Sequence, residues 1–199
     1  MNPARRIANI LLALILALPL ALALRDVGGE DWVVADLIPP TGEAAALIMF
    51  AAMAIGPLGR LAGLRRPWVV WLMRQRRRIG VTAFAYAALH LALYLVDTGT
   101  LHFLLAEIGA PGIWTGWLAF LLMLPPALAS NDAAMRLLRR RWKMVQRLIY
   151  PVVILTIIHG ALLMYDWVAP LVHVAPMLLL YLAGALIDTN DTLNKRTIA

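Results

Sequence analysis

Long apolar blocks are the feature that most restricts how this chain can fold. Each block runs for about 18 to 20 residues, the length that crosses the ~30 Å hydrocarbon core of a bilayer as a helix. The chain is 62% apolar with a mean hydropathy of +0.79, whereas soluble domains are about 45–50% apolar. We therefore expect an all-α integral membrane protein in which residues 1–199 form one bundle of six transmembrane helices. The spans are predicted at residues 7–24, 43–61, 79–96, 113–129, 147–165 and 168–187.

Basic residues lie between these blocks and predict their orientation. The net charge is +7, and all 18 Lys and Arg residues except Arg25 fall in both termini and the second–third and fourth–fifth connections, with Arg147 at the start of span five. Lys and Arg concentrate in cytoplasmic loops, so both termini are predicted to be cytoplasmic. Membrane lipid, and no nucleic acid, is the partner that this placement favours.

The chain is predicted to be one continuous set of spans without an internal repeat. Its first block follows a basic start, Arg5 and Arg6, so a cleaved signal peptide is the alternative to a retained first helix. The alternation of basic and non-basic connections favours a retained helix.

Two histidines are the chemically informative residues inside the apolar blocks. His90 lies in span three and His159 in span five, about 16 Å from Ile79 and about 18 Å from Arg147 along their helix axes. An imidazole in hydrocarbon is costly and indicates a functional site, and the composition contains no Cys that could supply thiolate ligands. The matched depth predicts that both imidazoles bind one haem iron. The alternative is that each makes only a hydrogen bond between helices.

Other polar residues near these spans are weaker candidates. His173 of span six could be a substitute ligand, a propionate partner, a quinone contact or an interfacial residue, and His102 is expected in a short, solvated connection. Tyr86, Tyr94 and Thr156 lie at helical spacing from the two histidines and are predicted to support the ring nitrogens or the propionates.

Two segments resemble a known family, RRRIGVTAFAYAALHLALYLV (Arg76–Val96) and LASNDAAMRLLRRRWKMVQRLIYPVVILTIIHG (Leu128–Gly160). The shared features are Arg-Arg-x-x-Gly before span three, a histidine ten residues after Gly80, the span-five histidine and Thr41-Gly42. Over residues 41–165 the chain resembles ferric-reductase-like transmembrane domains, and in particular the haem-binding membrane subunits of bacterial periplasmic protein-methionine-sulfoxide reductase systems.

The resemblance implies a b-type cytochrome of the bacterial inner membrane. Electrons would come from the quinone pool or a cytoplasmic flavin reductase and pass to a periplasmic molybdopterin-containing subunit that reduces methionine sulfoxide in oxidised proteins. His90 and His159 would be the ligands of haem b, and a flavin mononucleotide would be possible near the inner face.

One departure from the family pattern concerns span five. Gln146 stands where the family has a second histidine, so one haem is favoured here. Arg77, Arg78 and Gln146 become candidates for contact with a flavin phosphate or a quinone. The alternative is that the arginines are ordinary residues of the membrane interface.

Two other functions stay open from the sequence. A stand-alone ferric-type reductase would need a separate flavin-containing partner. A transporter or membrane scaffold would use the histidines as structural or proton-carrying groups and would bind no haem. For the electron-transfer function, a periplasmic partner is expected to dock on residues 25–41 and 97–112 and the turn at Asp166, where the acidic residues Asp26, Glu30, Asp31, Asp36 and Glu107 could pair with a basic partner surface.

Overall fold

A computed structural model describes residues 3–26 and 32–197, with side chains described as far as residue 187. Every regular element in these ranges is a helix, which confirms the predicted all-α class. In chain order the elements are α1 (Pro3–Asp26), a 3₁₀ turn (Val34–Leu37), α2 (Ile38–Ala62), α3 (Pro67–Thr98), α4 (Leu101–Glu107), α5 (Pro111–Leu128), α6 (Asp132–Leu138), α7 (Arg141–Gln146), α8 (Ile149–Met164) and α9 (Val168–Thr197).

Six helical segments within the described residues are long and apolar enough to cross a membrane, in agreement with the predicted number. Many of their large apolar side chains, on α1 and α9 above all, are exposed on the outside of the bundle. Lipid tails are as apolar as leucine and can cover such a surface without cost. The chain is therefore a multi-pass membrane protein.

The connections contain more helix than the sequence indicates. Helix α3 begins at Pro67, so four of the arginines expected in a loop before Ile79 lie within its first twelve residues: Arg74, Arg76, Arg77 and Arg78. Proline suits the first turn because its missing N–H would have no partner there, and arginine is a good helix former. The hydropathy pattern detects only the apolar part of such a helix.

Helix α2 lies at the centre of the bundle, and more than half of its apolar window is buried. Met49 and Met53 share one core with Ala83 of α3, Val152 of α8 and Val174 of α9. Helix α2 packs most extensively on α3, and α5 packs most extensively on α8. These two helix pairs carry the candidate site.

Helix α1 is attached to α3 by an inserted side-chain hydroxyl. The hydroxyl of Tyr86 donates to the carbonyl of Leu16 at 2.8 Å and accepts from the amide of Leu20 at 3.2 Å. These two backbone groups would bond each other directly in an uninterrupted helix. Pro19 lies between them and lacks an N–H of its own, so the hydroxyl satisfies the backbone where the proline disturbs it.

Replacing Tyr86 with Phe removes the hydroxyl and leaves both backbone groups without this partner. Side-chain hydrogen bonds in membrane proteins contribute about 0.6 kcal/mol on average and about 1.7 kcal/mol at most. We expect Tyr86→Phe to lower the free energy of unfolding by about 1 kcal/mol or more, measured by titration with a denaturing detergent. Tyr94→Phe is the control, because its hydroxyl donates to the exposed Glu107 and not to the backbone of another helix. Equal losses in the two variants would contradict this role of Tyr86.

Candidate functional site

The two buried histidines lie next to each other between the helix pairs. His90 on α3 and His159 on α8 have ring centroids 6.1 Å apart and ring planes at 89°. The sequence places both residues at the same depth, and the structure brings their rings together at one end of the bundle. This end, where α2 and α5 begin and α3 and α8 approach their last turns, is called the histidine end below.

Each ring is held by one backbone carbonyl from the partner helix. Nδ1 of His90 lies 2.8 Å from the carbonyl oxygen of Ile38, at the start of α2. Nδ1 of His159 lies 2.7 Å from the carbonyl oxygen of Gly112, at the start of α5. A carbonyl only accepts hydrogen bonds, so Nδ1 carries the hydrogen in both rings. The lone pair of each Nε2 is then available to a metal.

A glycine makes each of these carbonyls accessible. In a helix the Cα–Cβ bond leans toward the N-terminus, so a side chain covers the turn that precedes it. Gly42 follows Ile38 by four residues, and Gly116 follows Gly112 by four. A methyl group at Gly42 would lie 2.8 Å from Nδ1 of His90, and one at Gly116 would lie 2.6 Å from Nδ1 of His159. Both positions must therefore lack a side chain for the rings to reach the carbonyls.

The pair of rings fits the axial positions of a haem iron. Two imidazoles that bind one metal at about 2.0–2.1 Å, with the bonds on one line, place their ring centres about 6 Å apart. The observed separation of the centroids is 6.1 Å. Haem iron accepts imidazole at its axial positions, and hydrogen bonding of the other ring nitrogen to a carbonyl is the usual way to orient such a ligand. The chemistry and the spacing of the donors both suit this group.

The partners of the ring nitrogens differ from those expected. Tyr86 and Tyr94 were predicted to support the ring nitrogens or the propionates; Tyr86 bonds the backbone of α1 and Tyr94 donates to Glu107 at 3.0 Å, so neither bonds a ring nitrogen. Backbone carbonyls take the place assigned to these hydroxyls. Since any residue carries a carbonyl, composition gives no sign of this arrangement. The Thr-Gly pairs at residues 41–42 and 115–116 are the signal that could have indicated it.

The other two histidines have partners of their own. Nε2 of His173 on α9 lies 3.4 Å from a carboxylate oxygen of Glu43, the residue after Gly42. The ring of His102 on α4 packs edge-on against Phe103, with centroids 5.8 Å apart, on an exposed surface. The structure therefore places His173 beside the start of α2 and His102 outside the bundle core.

The predicted flavin or quinone contacts lie at the opposite end, called the arginine end below. Arg77 donates through Nε to the carbonyl of Ser130 and through Nη1 to Asp132, both at 2.6 Å. This guanidinium lowers the pKa of the Asp132 carboxyl below its ordinary value. Gln146 donates to the carbonyl of Pro126 at 3.1 Å. Arg77 and Gln146 thus join neighbouring elements of the bundle, and contact with a cofactor stays a prediction.

Arg78, together with Arg77, lines a groove between α1 and α3. The groove has a volume of about 770 Å³, and its walls are mainly apolar. It runs along α3 from the arginine pair at residues 77–78 to Leu89, the neighbour of His90. The polar side chains on its walls are those of Asn9, Arg77, Arg78, Thr82 and Tyr86.

The fold and the two adjacent imidazoles define the chain as a polytopic membrane protein with a pair of histidines between its helix pairs. Residues 41–157 match the family described as "Ferric reductase like transmembrane component". Because this match covers more than half of the chain, the chain belongs to that family. No solved structure matches it.

Curated relatives are named "Protein-methionine-sulfoxide reductase heme-binding subunit MsrQ". The chain is similar to that of Azospira oryzae, with 41% identity over 119 residues that cover 56% of this chain and 47% of the relative. Identity with the MsrQ subunit of Xanthomonas oryzae pv. oryzae is 37%, over 63% of this chain and 57% of the relative. Identity with the MsrQ subunit of Cronobacter sakazakii is 36%, over 74% of this chain and 70% of the relative. The chain thus matches about half of the length of the first two relatives and more than two thirds of the third.

Alanine at Gly42 or Gly116 should displace the adjacent imidazole. The added methyl group would lie 2.8 Å from the His90 ring or 2.5 Å from the His159 ring, and overpacking of this kind costs about 1–3 kcal/mol. We expect both variants to lower the free energy of unfolding by about that amount in a detergent titration. Gly80→Ala is the matched control, because no atom lies within 4 Å of the added methyl group and alanine is the better helix former. Wild-type stability in both test variants would refute the close fit.

Proposed function

We propose that this protein is the haem b electron-transfer subunit of a protein-methionine-sulfoxide reductase system in the bacterial inner membrane. Electrons would enter from the quinone pool and leave to a periplasmic molybdopterin-containing reductase. The observation that carries the proposal is the pair of imidazoles 6.1 Å apart, each with Nδ1 bonded to a carbonyl. The names of the MsrQ relatives support the haem and the sulfoxide reductase partner.

His90 and His159 would hold the haem iron through their Nε2 atoms, one from each helix pair. With both axial positions taken by imidazole, a haem supplies one-electron transfer and offers no open position to a substrate. The carbonyls of Ile38 and Gly112 fix the orientation of the rings and make the ligand nitrogens more basic. Sulfoxide chemistry is therefore assigned to a separate catalytic partner.

The ligand assignment is tested by replacing each histidine with alanine. The wild-type protein purified with haem should show a reduced-minus-oxidised spectrum typical of a bis-imidazole b-type cytochrome. His90→Ala and His159→Ala should lose that spectrum, because each removes one axial ligand. His102→Ala should keep it, since that ring lies on an exposed surface. A colourless wild-type protein would refute the proposal in favour of a transporter or scaffold, and loss of the spectrum in His173→Ala would refute the pairing.

The groove between α1 and α3 supports a quinone as the electron donor. Its apolar walls suit an isoprenoid chain, and a hydroxyl and a guanidinium, those of Thr82 and Arg78, line it as well. The groove extends to Leu89, the neighbour of His90. The arginine pair lies about 20 Å from His90 along α3, and an occupant of the groove would cover this distance. By the positive-inside rule the arginine end faces the cytoplasm. Because Arg77 and Gln146 already hold the helices together, a flavin at these residues has less support.

Filling this groove should slow reduction by quinol. Ala85 lines it, so Ala85→Trp should reduce the rate of haem reduction by a quinol about tenfold or more, measured by stopped-flow absorbance. Reduction by dithionite and the absorption spectrum should not change. Ala92→Trp is the control, because Ala92 is exposed two turns further along α3 and does not line the groove. A wild-type rate in Ala85→Trp, together with reduction by a flavin reductase, would point to the flavin as the donor.

The histidine end is the surface that we assign to the periplasmic partner. Of the acidic residues expected there, Asp26 is exposed beside Arg25, at 3.6 Å. Asp36 accepts from the amide of Val33, and Glu107 accepts from Tyr94. Glu30 and Asp31 lie outside the described residues. A partner with a basic docking surface would complement these carboxylates.

A further inference from the structure

The two histidines are held by one arrangement that occurs twice. At the start of α2 the hydroxyl of Thr41 donates to the carbonyls of Leu37 at 2.7 Å and Ile38 at 2.9 Å. At the start of α5 the hydroxyl of Thr115 donates to the carbonyls of Pro111 at 2.7 Å and Gly112 at 2.9 Å. The two sets of distances are the same, and both threonines are buried, with 1% and 3% of their surface exposed.

The repeat extends from these first turns to the helix pairs. In each copy a helix that begins with a Thr-Gly pair packs on the helix that carries the histidine: α2 on α3, and α5 on α8. In each copy the carbonyl that receives the imidazole lies three residues before the threonine. No internal repeat was predicted from the sequence, because the copies share little beyond Thr-Gly and one histidine. The structure shows the likeness as a repeated bonding pattern at the two helix starts.

The one hydrogen of each threonine hydroxyl is shared between two carbonyls, and one of these two carbonyls also accepts from an imidazole. The oxygen of Ile38 receives Nδ1–H of His90 and the hydroxyl of Thr41, and the oxygen of Gly112 receives Nδ1–H of His159 and the hydroxyl of Thr115. An acceptor shared by two donors holds each of them less strongly than an acceptor with one. A stronger bond at Nδ1 makes the imidazole more electron-rich, and an electron-rich ligand favours ferric over ferrous iron.

We propose that Thr41 and Thr115 are positioning residues that weaken the hydrogen bonds of the two haem ligands and so keep the reduction potential of the haem higher than the imidazoles alone would set it. This inference rests on the proposed haem function. It predicts that the two threonines act in the same direction, because the two copies are alike. Their effect reaches the iron only through the shared carbonyls and the rings.

The test is a redox titration of the full chain purified with haem in detergent. Thr41→Val and Thr115→Val keep the shape of the side chain and remove the hydroxyl. Each should shift the midpoint potential to a more negative value at unchanged haem stoichiometry, and the double variant should shift it further. Thr41→Ser and Thr115→Ser keep a hydroxyl and should return the potential toward that of the wild type.

Ser130→Ala is the matched control. The hydroxyl of Ser130 donates to the carbonyl of Pro126 at 2.7 Å, and that carbonyl also accepts from Gln146. A carbonyl shared by two side-chain donors thus also occurs at the arginine end, where no histidine is involved. The reduction potential of Ser130→Ala should therefore equal that of the wild type. An equal shift in Ser130→Ala would show a general structural effect and overturn the inference.

Two outcomes separate this inference from the proposed function. Val variants that bind haem normally with a wild-type or raised potential would overturn only the role of the threonines. A wild-type protein that binds no haem would overturn both. If the Val variants do not fold, the Ala and Ser variants at each position differ only by the hydroxyl, and equal potentials in that pair would overturn the inference.

Discussion

The histidine end depends on one kind of bond, a ring N–H that donates to the carbonyl of a helix's first turn. Without an acceptor, a buried imidazole in hydrocarbon would have an unsatisfied polar group, which is costly. With the acceptor in place, the bond selects the tautomer and leaves Nε2 free. The two bonds at 2.8 and 2.7 Å thus orient both rings from opposite helix pairs.

The start of a helix is a suitable place for such an acceptor. Pro39 and Pro40 in α2 and Pro111 in α5 lie at first-turn positions, where a missing N–H costs nothing. Four residues after each acceptor, a glycine leaves the carbonyl uncovered. The apolar residues of α2 further along pack into the core, so the first turn is held in place by the rest of the helix. Core packing and ligand orientation are therefore linked through α2.

Much of this fold could be predicted from the sequence, because hydropathy and helix geometry determine it. The number of spans and the common depth of His90 and His159 follow from apolar length and a rise of about 1.5 Å per residue. The acceptors of Nδ1 could not be predicted, since backbone carbonyls have no signature in a sequence. The bond of Tyr86 to α1 could not be predicted for a related reason: its hydroxyl contacts the backbone of α1, which Pro19 disturbs. The helical start of α3 was not predicted, because its arginines give this segment the polar composition of a loop.

At both ends of the bundle, backbone carbonyls accept hydrogen bonds from side chains, but the donors differ. At the end of α5, carbonyls without helical partners accept from side chains: Pro126 from Gln146, and Ala129 from the indole of Trp142. At the histidine end the donors are imidazoles. An amide or an indole that donates its hydrogen has no nitrogen lone pair left for a metal, whereas an imidazole has one at its second nitrogen. A glutamine at residue 146 can therefore join α7 to α5 without making a metal site, which agrees with the single haem proposed for the histidine end.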